Sequence, residues 1–250
     1  MSLLKSDREA DPAGAVVVWI AQVPEFRETL PALEALLDAR EIERASRFRF
    51  PEDRARFVVG RGLLRHGMRR YAPQVPATFE VAYSSLGRPL VPAEYEAPRF
   101  SISHTHDLVA LAFTSGAQTG VDLEFMKPPV DLLELAERIL SEEDFHAFEA
   151  FPHVERQLAF YRAWTRKEAY LKARGEGIGT GLQDVSVSFT AETTSPVTDR
   201  RDASATAWRL HMLPVPEEYM GCVACDEAAR RVTCLSVRME KGEASLEPIP

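Results

Sequence analysis

Asp122 and Glu124 lie two residues apart in Gly120-Val-Asp-Leu-Glu-Phe125, an otherwise apolar stretch. In an extended strand alternate side chains leave the same face, so this spacing sets two carboxylates side by side. Such a pair repels itself unless a cation or a proton lies between its members. The same residues also fit a strand end capped by Asp122, with Glu124 merely exposed. A third carboxylate, Glu168, falls in Trp164-Thr-Arg-Lys-Glu-Ala-Tyr-Leu-Lys172. There Glu168 and Lys172 are four apart and share a helix face. Alone they are a common ion pair worth about 0.3–0.5 kcal/mol. Beside Asp122 and Glu124, however, Glu168 would supply the third oxygen donor of a Mg²⁺ site, which combines a few carboxylates with waters and phosphate oxygens.

Charge is distributed unevenly. The 250 residues carry a net charge of −8, which argues against general nucleic-acid affinity. Yet nine arginines (44, 47, 49, 54, 56, 61, 65, 69 and 70) fall between Arg44 and Arg70, against two acids, Glu52 and Asp53. This segment fits either a local phosphate site or a solvated helix face. With 45% hydrophobic residues the chain has ample material for a core, and no apolar run approaches the ~20 residues of a spanning helix. Met1 to Gly14 is polar and lacks a signal-peptide core. Three cysteines, all late in the chain, describe no disulfide framework. A cytoplasmic protein with no membrane or nucleic-acid partner is expected.

The elements that must position these groups follow from pattern. Val16–Val23 reads as a buried strand and Glu28 to Phe48 as helix; Pro51 starts a helix over Glu52–Tyr71, ended by Pro73 and Pro76. Phe79–Tyr83, Phe100–His104 and Leu108–Thr114 read as strands, with Gly87-Arg88-Pro89 as a turn. A new strand begins at Gly120 and closes at Pro128-Pro129. Helices follow over Asp131–Leu140, from Ser141 to about Phe151, and over His153–Ala173, terminated by Gly175, Gly177 and Gly179. Val185–Phe189, Ala207–Leu213, Met220–Cys225 and Val232–Arg238 alternate as strands. The order of strand, helices and strands therefore occurs twice. The expected fold is α+β: two pseudo-duplicated halves, residues 1–117 and 118–250, each a small antiparallel sheet against a long helix, with the active site in a cleft between them.

Gly120-Val-Asp-Leu-Glu124, a step of 46 residues from Asp122 to Glu168, and then W-T-R-K-E-A-Y-L-K together resemble the paired signature of the 4′-phosphopantetheinyl transferases. That signature is (V/I)G(V/I)D followed after forty-odd residues by (F/W)(S/T/C)xKE(A/S)xxK; only Thr119 departs from it. Phe100-Ser-Ile-Ser-His104, Gly87-Arg-Pro89 (Arg88 where the family has lysine) and Glu52-Asp-Arg-Ala-Arg56 extend the likeness from about Arg44 to Gly181. Order and length are similar to the double-size class typified by the surfactin-synthetase activator.

The resemblance implies an enzyme that moves the 4′-phosphopantetheinyl arm of coenzyme A onto a serine of an acyl or peptidyl carrier protein, releasing 3′,5′-ADP. A non-catalytic relative that only binds coenzyme A or carrier is the alternative. By the same resemblance, Asp122, Glu124 and Glu168 would hold Mg²⁺ with the coenzyme A pyrophosphate. Lys172 would contact that pyrophosphate, and Glu168, directly or through a metal-bound water, would be the favoured base, with Glu124 the alternative. Arg44, Arg56, Arg88, Ser103 and His104 would hold the nucleotide end and its 3′-phosphate, while Arg65, Arg69 and Arg70 would lie at the surface and Arg61 is open. A monomer is implied, because duplication internalises an interface that shorter relatives form between subunits. Carrier docking is implied near Phe145, Phe148 and Phe151, residues that equally fit a core. Cys222-Val-Ala-Cys225 reads as buried strand cysteines and Trp164 as a packing anchor between the halves.

Overall fold

The computed structural model describes residues 11–127, 131–176, 181–229, 231–240 and 242–249. The chain divides into two compact units, Met1–Ala117 with Ala228–Pro250, and Gln118–Glu227. No helix among the described residues is long and apolar enough to cross a membrane.

In the first unit β1 (Val16–Gln22) has six consecutive buried residues. A strand so apolar on both faces belongs in a sheet interior and needs a neighbour on each edge. β5 (Leu108–Thr114) supplies one, antiparallel and itself paired to β4 (Arg99–Thr105). The other is β11 (Val232–Glu240), which returns from the far end of the chain and pairs with β1 in parallel, followed by β12 (Glu243–Pro248). Two expectations are corrected here. Residues 118–250 do not form one half, because Ala228–Pro250 completes the first sheet; and that sheet, ordered β12-β11-β1-β5-β4, is mixed rather than antiparallel.

The segment read as one helix over Glu28–Phe48 is broken into α1 (Leu30–Glu34) and α2 (Ala39–Ser46). Asp38 causes the break by capping α2. Its carboxylate accepts from the Glu41 N–H at 2.9 Å and the Glu41 carboxylate accepts from the Asp38 N–H at 3.2 Å, a reciprocal capping box. α3 (Pro51–Tyr71) opens on proline, where the missing N–H costs nothing, and buries Phe57, Val58, Leu63, Leu64 and Met68. The expected strand over Phe79–Tyr83 shrinks to β2 (Ala82–Tyr83), paired with β3 (Pro89–Leu90) across the Gly87-Arg88 turn.

Arg65 is also corrected. It is 3% exposed, donates to Glu41 at 2.6 Å and to the Phe79 carbonyl at 3.0 Å, and is not a surface residue. Arg69 is exposed and pairs with Glu243 at 3.1 Å.

The second unit holds β6 (Thr119–Phe125), α4 (Leu132–Ile139), α5 (Glu142–Glu149), α6 (Arg156–Arg174), β7 (Val185–Val187), β8 (Thr194–Asp199), β9 (Arg209–Met212) and β10 (Tyr219–Cys225). Its sheet runs β6-β10-β9-β8-β7 with every pairing antiparallel. α6 ends on Gly175 in the left-handed region (φ 75°), where glycine carries no Cβ penalty. Pro128, Pro129, Gly177 and Gly179, expected to punctuate this unit, lie outside the described residues. β8 escapes pattern reading because its inward positions include Ser195 and Asp199, which hide the apolar alternation.

Phe148 is fully buried and packs on Phe189, as does half-buried Phe151. Phe148 is therefore core. Cys222 and Cys225 are buried on β10, and burial pushes the Cys225 thiol up to about 11 and Cys222 higher still. Both are inert packing residues at neutral pH.

Candidate functional site

Gly120 opens the site. A Cβ built there would stand 2.2 Å from the Ala169 carbonyl oxygen and 2.3 Å from the Ala173 nitrogen, both in the backbone of α6. Only a residue without a side chain lets α6 lie directly on β6. Ala169 and Ala173 each immediately follow a polar residue of the site, so this contact delivers Glu168 and Lys172 to the strand that carries Asp122 and Glu124. Lys172 Nζ donates to Asp122 Oδ1 at 2.6 Å. Glu124 Oε1 accepts from the Trp164 indole N–H at 3.0 Å. Trp164 and Glu168 are four apart on α6, and Trp164 stacks on Phe160 at 6.0 Å. Trp164 is thus a partner of the acidic group itself, a role the pattern reading missed; its place four residues before Glu168 was the available signal.

The three acids share one electrostatic environment. Glu168 is 2% exposed, and both of its carboxylate oxygens are buried without a hydrogen-bond partner among the described residues. Burial pushes its carboxyl up to about 7, the charges of Asp122 and Glu124 add to the rise, and Lys172 opposes it. Glu124 is raised to about 7 as well, by burial first and Asp122 second, against Trp164 and Lys172. Buried acceptors that lack donors are expensive, and neighbouring like charges make them more so. A divalent cation satisfies such a set. Among the described residues no three acidic, histidine or cysteine side chains stand as a ready-made cage. A Mg²⁺ ion needs none, since it takes most of its shell from water and phosphate oxygens. The donor chemistry therefore fits Mg²⁺, with Lys172 countering the Asp122 charge in this structure.

The two residues between Thr165 and Glu168 serve the fold. Arg166 is fully buried and donates to the carbonyls of Ser188, Thr190 and Glu192. Lys167 is also fully buried and donates to the carbonyls of Ile139, Leu182 and Val185. They tie the end of α4, the start of β7 and the segment after β7 to α6, the helix that carries Glu168.

The remaining candidates all belong to the first unit. Arg44, on α2, is exposed and lies 5.2 Å from the Phe57 ring. Arg56, near the start of α3, donates to the His106 carbonyl at 2.6 Å and pairs with Asp53. It thereby clamps the β4–β5 turn, where His106 adopts φ 45°. Arg88 donates through its side chain to the Phe100 carbonyl at 3.2 Å. Ser103 and His104 are consecutive on β4, so their side chains leave opposite faces: Ser103 is buried and His104 exposed. Arg44 lies against Phe57, the residue that follows Arg56 on α3, and Arg56 and Arg88 both bond to β4 or its turn.

The chain is similar to known proteins of one family. Residues 118–224 match a family described as "4'-phosphopantetheinyl transferase superfamily", and residues 19–116 match "4'-phosphopantetheinyl transferase, N-terminal". The 4′-phosphopantetheinyl transferase HetI of Nostoc sp. is 35% identical over 211 residues, covering 84% of this chain and 85% of that protein. A phosphopantetheinyl transferase of Thraustochytrium sp. is 31% identical over 264 aligned positions, 92% of this chain and 89% of that protein. The crystal structure of Thermotoga maritima holo-[acyl-carrier-protein] synthase superposes with a TM-score of 0.33 at 18% identity, over 50% of this chain and 70% of that one.

Proposed function

The chain belongs to the 4′-phosphopantetheinyl transferase superfamily, in its double-size form, and from that premise we propose that it moves the 4′-phosphopantetheinyl arm of coenzyme A onto a serine of an acyl or peptidyl carrier protein. Asp122, Glu124 and Glu168 would hold Mg²⁺. The ion would supply charge neutralisation and polarisation at the coenzyme A pyrophosphate. The single observation that carries the reading is Glu168, a buried carboxylate with both oxygens unpartnered among the described residues, beside two further acids.

The chemistry balances with these side chains. The serine hydroxyl attacks the phosphorus next to the pantetheine arm. A new P–O bond forms, the bond to the nucleotide phosphate breaks, and 3′,5′-ADP departs. Glu168 takes the serine proton, and the Lys172 ammonium balances the charge that grows on the leaving phosphate. Arg44, Arg56, Arg88 and His104 bind the nucleotide phosphates; the planar guanidinium fork suits phosphate oxygens. Ser103 lines the same strand end.

Incubation with a fluorescent coenzyme A, Mg²⁺ and a panel of bacterial carrier proteins is expected to label at least one carrier. Labelling should be abolished by chelation. Binding of coenzyme A without transfer to any carrier would sink the catalytic reading and leave a binding-only relative.

Metal occupancy has its own readout. Glu124 and Glu168 ionise near 4.5 when unfolded and near 7 in the folded chain. Between those values the folded protein keeps protons that the unfolded chain has lost, so without metal their contribution to stability falls as pH rises through that window. Mg²⁺ competes with those same protons. The rise in melting temperature on adding Mg²⁺ is expected to be larger at pH 8 than at pH 5.5. An equal rise at both values would remove these carboxylates as the ligands.

A further inference from the structure

Arg61 is a buried cation that the site just described does not use. It is 5% exposed on α3, and its Nη1 has no hydrogen-bond partner among the described residues. Its Nε lies 3.4 Å from Glu41 Oε1, and Glu41 is held in turn by Arg65 and by the capping box with Asp38. Its guanidinium carbon is 5.5 Å from the centre of the Phe57 ring and 5.9 Å from that of Tyr83, and its Nη2 is 3.4 Å from the Tyr83 hydroxyl.

Both rings lead to phosphate-binding candidates. Arg44 rests on the same Phe57 ring, at 5.2 Å. Tyr83 pairs with Pro89 across the β2–β3 hairpin, and the next residue, Ser84, bonds twice to Arg88: its N–H donates to the Arg88 carbonyl at 2.9 Å and its hydroxyl accepts from the Arg88 N–H at 3.1 Å. Arg61 and Arg65 thus both meet buried Glu41, Arg65 also lying 3.6 Å from Asp38, while Arg44, exposed on the helix that carries Glu41, rests on Phe57. Burial is the first cause holding the Arg61 pKa below its ordinary value; Tyr83 and Glu41 raise it, and Arg44 and Arg65 depress it further. An anion arriving beside Arg44 relieves that like-charge repulsion.

We propose that Arg61 is a positioning residue for the phosphate-binding arginines: through Phe57 it sets Arg44, and through Tyr83 it sets the hairpin that carries Arg88. Arg61 need not touch the ligand. Its charge against two aromatic faces fixes where those faces sit, and Glu41 fixes where Arg61 sits. The inference rests on the reading that Arg44 and Arg88 meet the nucleotide phosphates.

The test pairs calorimetry of adenosine 3′,5′-bisphosphate binding with steady-state kinetics. Arg61→Met keeps length and burial but removes the charge. It is expected to weaken bisphosphate binding and raise the KM for coenzyme A about thirtyfold, the loss of one desolvated cation–π contact. The KM for carrier should be unchanged and kcat at saturating coenzyme A should stay within about twofold of wild type. Arg61→Lys, which restores the charge, should recover part of the loss. Tyr83→Ala alters an exposed ring, so it tests the same link should Arg61→Met fold poorly, and it should raise the coenzyme A KM about threefold, the weaker exposed end of the same interaction.

Wild-type binding by both Arg61→Met and Tyr83→Ala overturns the proposal. So does an equal rise in both KM values, which signals general loosening. A wild-type protein that binds neither coenzyme A nor the bisphosphate overturns the phosphate reading beneath it instead.

Discussion

Replacing Glu168 by glutamine is expected to lower kcat by about 10³-fold, the loss of a general base in the middle of its usual range, while the fold survives. The substitution keeps volume and removes charge. Because neither Glu168 oxygen has a hydrogen-bond partner among the described residues, no bond is broken. Its effect on stability is the unusual part. At pH 5 the folded wild-type side chain is protonated and resembles an amide in charge. At pH 8 it is ionised, buried and close to two other acids. The melting temperature of metal-free Glu168→Gln, relative to wild type, should therefore shift in the variant's favour as pH rises from 5 to 8. Turnover within tenfold of wild type would remove Glu168 from the chemistry. A constant gap in melting temperature across that pH range would show that its carboxyl is not raised.

The second large effect is structural. Gly120→Ala places a methyl carbon 2.2 Å and 2.3 Å from two backbone atoms of α6. Neither is the end of a flexible side chain, so the helix must lift from the strand. Overpacking of this kind costs about 3 kcal/mol or more. In a chain of this size that is a fall of roughly 10 °C in melting temperature. The lift also carries Glu168 and Lys172 away from Asp122, so molecules that stay folded should lose most of their transfer activity. Thermal melting and transfer assays on the same preparation check both parts. A variant with wild-type melting and activity would mean that β6 and α6 are not in backbone contact.

These two substitutions probe different links of one chain of causes. Gly120 sets a distance between two elements, and Glu168 uses it. Trp164 joins them, since its indole N–H fixes Glu124 from the helix side. Neighbouring Arg166 and Lys167 are as deeply buried as any of the described residues, yet they spend their charge on backbone carbonyls rather than on Asp122, Glu124 or Glu168.

The family of this protein was legible in its sequence because the paired signature depends on residue type and spacing. The same-face geometry of Asp122 and Glu124 follows from strand periodicity, and that of Glu168 and Lys172 from helix periodicity. The long helices and most strands were legible too, from apolar periodicity and proline punctuation. Only the tertiary structure decided what joins distant segments. Val232–Glu240 returns to complete the first sheet because β1 is apolar on both faces and needs a second neighbour, a requirement that names no partner in sequence. Arg65 reads as a surface residue until Glu41, 24 positions earlier, is folded against it. The three acids read as a set, but Lys172 on Asp122, Trp164 on Glu124 and the bare carboxylate of Glu168 appear only when α6 lies on β6 at the distance Gly120 allows. Local periodicity encodes which face a side chain takes, whereas pairing between remote segments is set by how buried surface is shared.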